Sequence, residues 1–146
     1  MSFDLFVQCF ENGEPAGIPL DAVRNAFGAA LSEPETSFWS LSFGVGESCC
    51  LSLSPLPGFS SQVHNITVER PCSNMRLWQG LTQLLAHRHT VLYFPGCSGP
   101  LLSSSSAALH LPHDMLEALG EPILVSSGQD ILRCVESAQL FVQADR

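Results

Sequence analysis

The sequence predicts a mixed α/β fold: one sheet in a single layer, with helices packed on it. Two observations carry that class. In the N-terminal half, short segments alternate apolar and polar residues with a period of two, the pattern of half-buried antiparallel strands. In the C-terminal half, two wholly apolar runs are separated by helical periodicity and followed by more of it, which reads as a β-α-β-α unit. Together they predict a mixed sheet of about six strands, an antiparallel meander joined to a parallel pair.

Taken in chain order, Phe3, Leu5, Val7 and Cys9 alternate with Asp4, Phe6, Gln8 and Phe10, so residues 3–10 form a first strand with aromatics on both faces. ENGEPAGIP is a turn-rich loop, and Pro19 opens a short helix that gathers Val23, Ala26, Phe27 and Ala30 on one side. Three alternating runs follow at 38–43, 48–54 and 63–69, separated by GVGE and PLPGFSSQ, both rich in turn residues. One face of this meander carries Trp39, Leu41, Phe43, Cys49, Leu51, Leu53, Ile66 and Val68. The other carries Ser40, Ser42, Ser48, Cys50, Ser52, Ser54, Asn65, Thr67 and Glu69.

Ser73 or Asn74 caps a helix whose Leu77, Trp78, Leu81, Leu84 and Leu85 share one side. The runs 91–94 and 122–125 lack polar alternation, as strands buried on both faces do, and both are expected to be central. A helix over 112–119, closed by Gly120, lies between them, so the two should run parallel with a right-handed crossover. Ser127, with Asp130 three residues on, starts a last helix that turns Ile131, Val135, Ala138 and Val142 inward.

Composition narrows the function classes. The 146 residues are 45% hydrophobic and 14% charged, enough apolar material for one core, so residues 1–146 are expected to form a single domain that folds alone. Fourteen acidic residues face six arginines and no lysine, a net charge of -8. That charge repels phosphate backbones and anionic lipid, and favours encounter with a basic protein partner. No basic leader and no apolar stretch of roughly 18 residues is present, so a cytoplasmic protein is expected. In that setting Asn65-Ile66-Thr67 is an accidental glycosylation sequon, and the six cysteines are read as reduced.

Two regions are candidate sites. If 91–94 and 122–125 run parallel, Gly96, Cys97, Ser98 and Gly99 should adjoin Ser126, Ser127 and Gly128 at one sheet edge. There SSG at a helix start offers N–H groups to a small molecule or anion. The glycines would serve backbone shape. Catalysis is not expected: a G-x-S-x-G elbow on Ser98 fails because position 100 is proline, and no base is assignable to Cys97. No Cys-x-x-Cys or His-Glu-x-x-His spacing occurs, so neither metal nor cofactor is expected. Cys49 and Cys50 point to opposite faces, His87 and His89 diverge, and His110 with His113 reads as a surface pair. The second region is the hydroxyl-rich sheet face, where Phe6 and Phe10 would interrupt a polar surface. With Asn65, Thr67 and Glu69, and with Glu11 and Glu14 at its margin, it has the make-up of a protein interface.

The segments SFDLFVQCFENGEPAGIP, LYFPG and HLPHDMLEALGEPILVSSG resemble small uncharacterised bacterial α/β proteins of about this length. That resemblance implies no activity. By analogy with small acidic immunity proteins, the sequence reads as a protein-binding module of bacterial origin, immunity-like or regulatory. The alternative is a small-molecule or anion-binding protein or enzyme with its site at 96–99 and 126–128.

Overall fold

The computed structural model describes residues 3–33 and 38–138. Its centre is one open, mostly antiparallel sheet. The longer strands are β1 (Asp4–Glu11), β5 (Phe38–Ser42), β6 (Ser48–Leu56), β7 (Phe59–Glu69) and β8 (Thr90–Tyr93). Two-residue strands complete it: β2 (Glu14–Pro15), β3 (Ile18–Pro19), β4 (Leu31–Ser32), β9 (Leu101–Leu102) and β10 (Ile123–Leu124). The order is β10-β9-β8-β1-β7-β6-β5-β4, with β2 paired to β1 and β3 to β7. Among the described residues, four α-helices accompany the sheet: α1 (Leu20–Phe27), α2 (Met75–Leu85), α3 (His113–Leu119) and α4 (Gly128–Ser137). A 3-10 turn runs from Ser105 to His110.

The meander forms as its alternation predicts. Leu41, Cys49, Leu51, Ile66 and Val68 enter the main core, with Trp39, Phe43 and Leu53 packed against it. The strands β6 and β7 extend well into the segment read as a loop, as a long hairpin turned at Gly58 with φ +87°. Pro55, which has no N–H to give a ladder, sits where the register slips.

On the inner face lie Val23 and Phe27 of α1, Leu77, Trp78, Leu81, Leu84 and Leu85 of α2, and Ile131 and Val135 of α4. Asn74 caps α2, its side chain accepting from the Arg76 N–H at 2.9 Å. Ala138 packs at the end of α4, and Val142 lies outside the described residues. Residues of the loop ENGEPAGIP pair as β2 and β3 instead of standing free.

The outer face divides in two. Phe10, Val91, Leu102, Ala107 and Leu111 form a second cluster, with Met115 and Leu116 of α3 packed against it. The 3-10 turn and α3 thus cover β1, β8 and β9 at one end. At the other end, over β5, β6 and β7, the serines, Asn65, Thr67 and Glu69 face outward.

One topological expectation is overturned. The strand at 91–94 does not pair with the strand at 122–125: β9 lies between them, antiparallel to β8 and parallel to β10. Only Leu101 and Leu102 form β9, too short for periodicity to reveal, and they sit in what reads as a connection. The parallel β-α-β unit therefore starts from β9. Nor is the second run a central strand, since β10 is the sheet edge and Leu124 is 58% exposed.

Candidate functional site

The turn after β8 is shaped by glycine. Gly96 adopts φ +82°, and the Cys97 N–H closes on the Phe94 carbonyl at 3.1 Å. Gly99 permits a close approach, because a Cβ there would stand 1.9 Å from the Glu121 carbonyl oxygen. The Ile123 N–H then donates to the Pro100 carbonyl at 2.8 Å. Residues 96–99 are consequently docked on the segment that leads into β10. Cys97 and Ser98 also line a pocket of about 200 Å³ with Arg133, Cys134 and Ser137 of α4.

Ser126, Ser127 and Gly128 are elsewhere. Since β8 is antiparallel to β9 and β9 parallel to β10, β8 and β10 run in opposite directions, and their carboxyl ends lie at opposite edges. Arg133 and Ser137, which meet the 97–98 turn, stand roughly 8 and 14 Å further along α4 than Gly128 at 1.5 Å per residue. The structure brings Gly96–Gly99 to Glu121 and Gly128 to α2, and does not bring the two loops together. At Gly128 a Cβ would lie 2.7 Å from the Gln79 backbone nitrogen, so this glycine lets α4 press on α2.

The donors at the start of α4 serve the chain itself. The Ser126 N–H and hydroxyl both donate to the Asp130 carboxylate, at 2.9 and 3.1 Å, and the Ser127 hydroxyl accepts from the Asp130 N–H at 3.2 Å. These bonds, led by the Ser126 N–H, hold the Asp130 carboxyl below its ordinary range. A second anion arriving there would meet a carboxylate in place.

The outer face presents a different surface. The Phe6 and Tyr93 rings stack at 5.3 Å and 26° on adjacent strands, at the border between covered and uncovered halves. Beside them, the register places Thr67 opposite Phe6 and Ser52 opposite Thr67. The Ser52 hydroxyl donates to Glu69 at 2.8 Å, and the Asn65 amide to the Thr67 hydroxyl at 3.2 Å. Burial raises the Tyr93 hydroxyl's pKa, with Cys97 adding to it.

Not every expected face residue joins this group. Phe10 is on the same face but only 6% exposed, held in the second cluster with its ring edge against His64. Glu11 and Glu14 are exposed and pair across the β1–β2 hairpin. Asp4, at the other end of β1, pairs with Glu69, so Glu11 stands about 23 Å from Glu69 at 3.3 Å per residue. The hairpin turn is held from the covered half instead: the Gly13 N–H donates to the His110 carbonyl at 2.8 Å and the Asn12 N–H to His110 Nδ1 at 3.1 Å.

Several site residues escape sequence reasoning. Tyr93 belongs to a run that reads as buried on both faces, and only the pairing with β1 sets it beside Phe6. Arg70, with φ +52°, bounds an open cleft of about 500 Å³ with Ser40, Ser42, Ser48, Cys50 and Glu69. His110 stacks face to face on His89 at 3.5 Å, not with His113, a meeting of distant segments that no spacing announces.

All six thiols are free. Among the described residues no three His, Cys, Asp or Glu side chains gather as a metal ion would require, and no helix is long and apolar enough to cross a membrane. No protein-family model, curated protein or solved structure matches the chain.

Proposed function

We propose that this chain is a protein-binding module, immunity-like or regulatory in kind, that engages a basic partner through the uncovered half of its outer sheet face. The observation that carries this reading is the Phe6–Tyr93 stack at the border of the covered half, beside Thr67, Ser52 and Glu69. An aromatic pair supplies contact area at low entropic cost, and hydroxyls and a carboxylate already held in place supply oriented acceptors and donors. A net charge of -8 with no lysine speeds encounter with a positively charged protein and disfavours nucleic acid.

The test is affinity capture from cells of the source bacterium with the wild type, Phe6→Ser, and a charge reversal on α3 over the covered half, Asp114→Arg. The expected result is a stoichiometric partner retained by wild type and Asp114→Arg, released by salt and lost with Phe6→Ser. A protein that captures nothing, but whose melting temperature rises with a metabolite, would sink this reading and return attention to the 96–99 turn.

A further inference from the structure

Two thiols meet where β6 begins and β7 ends. The register pairs Cys50 with Glu69, so Cys49 is level with Arg70 and turns to the inner face with Leu51 and Val68. The chain then bends at Arg70 through its left-handed φ of +52°, buries Pro71, and returns Cys72 against the same inner cluster. Cys72 thus adjoins Cys49 and, after burial, raises the pKa of its thiol. Cys50 is exposed on the opposite face of the strand.

We propose that Cys49 and Cys72 form a thiol-disulfide exchange site whose oxidant is a low-molecular-weight disulfide of the glutathione type. The division of labour follows from exposure. Cys72 is partly exposed, so a small disulfide can reach it, whereas Cys49 is only 6% exposed and needs to reach nothing but Cys72. Cys72 loses its proton to solvent and its thiolate attacks one sulfur of the small disulfide. That S–S bond breaks, one half stays on Cys72, and the other leaves as a thiolate that takes up a proton. As the Cys49 sulfur then attacks the Cys72 sulfur, the S–S bond to the small group breaks and the Cys49 proton passes to the departing thiolate, which leaves as the second small thiol. Two protein thiols are oxidised and one disulfide is reduced to two thiols.

Placement of the two cysteines side by side on the inner face makes the second step intramolecular, which favours it over a second mixed disulfide at high effective concentration. Burial, followed by the adjoining Cys72, pushes the Cys49 thiol up to about 12, so it stays protonated and does not compete as first attacker. The bond would tie the start of β6 to the chain entering α2, on the inner face and behind the proposed binding surface. The proposal is thus independent of that reading.

Incubation of the full chain with oxidised glutathione, acid quench and cleavage after glutamates separates the segment 48–69 from the one that begins at Arg70. The expected result is loss of two hydrogens and a disulfide joining these segments. The crosslink survives in Cys50→Ser and Cys97→Ser and is lost in Cys72→Ser. Cys49→Ala instead accumulates a stable glutathione adduct on Cys72. Mixed disulfides alone in the wild type, or a crosslink that disappears in Cys50→Ser, would overturn the proposal, and neither reading requires a substitution in the core.

Discussion

Phe6 and Phe10 stand four residues apart on the same face of β1, and the fold treats them differently. Phe10 lies beneath the 3-10 turn with Val91, Leu102, Ala107 and Leu111 around it. Phe6 lies at the edge of that cover, next to Thr67 and stacked on Tyr93, which packs against the same cluster. The two halves of one sheet face thus have separate uses. The covered half contributes hydrophobic burial, worth about 25 cal/mol per Å² of apolar area removed from water. The uncovered half leaves ordered polar groups in reach of solvent, with the half-buried Phe6–Tyr93 pair at its border.

That contrast is strongest in stability. Leu102→Ala, in the covered half, is expected to cost about 3 kcal/mol in urea denaturation, while Thr67→Ala in the uncovered half should stay within about 0.5 kcal/mol. Comparable losses from both would mean that the two halves are buried alike. Next in size is Gly99→Ala, whose new methyl group would collide with the Glu121 carbonyl and unseat the β9–β10 edge. About 2 kcal/mol is expected, as for overpacking. A neutral result would show that the 96–99 turn does not dock on the segment before β10.

Phe6→Ala should lower stability by about 1 kcal/mol, roughly half of a fully buried aromatic's contribution, while abolishing partner capture. Denaturation and capture measured on the same sample separate those effects, and equal losses of both would favour a structural role for the stack.

The smallest effect comes from neither half. Burial of His87, after α2, aided by the charge of Arg88 and opposed by the Gly17 backbone, holds its imidazole below the ordinary histidine range. Its Nε2 is buried without a partner. The unfolded chain takes up that proton near pH 6.5 whereas the folded chain resists, so the stabilisation is complete above that value and is lost as pH falls toward the folded pKa. Urea midpoints should therefore drop slightly between pH 7.5 and 5.5 in the wild type and less in His87→Gln. Identical slopes would remove His87 as the source.

Much of the fold was legible because periodicity reports how a residue's two sides are solvated. The alternation assigns the meander's faces residue by residue, and helix-end chemistry gives the Ser127 cap and narrows the α2 cap to Ser73 or Asn74, of which the structure uses Asn74. The candidate site was less legible. Asp130 was read as part of a capping box, but its carboxylate turned to Ser126. The sequence assigns Gly99 and Gly128 to backbone shape, and each does admit a close approach, though to Glu121 and to α2 and not to the other loop.

By itself, then, the sequence determined the α/β class, the inward residues of most longer strands and helices, and the net charge. These depend on alternation, helical period and composition, which are local or additive along the chain. Which strands became neighbours was decided in three dimensions. A two-residue strand such as β9 carries no period, yet its insertion between β8 and β10 reversed their relative direction and moved Ser126–Gly128 to the other end of the sheet from Gly96–Gly99. The cover over Phe10 but not Phe6 came from the same source, because the 3-10 turn and α3 reach only as far across the sheet as β9 and β8 lead them.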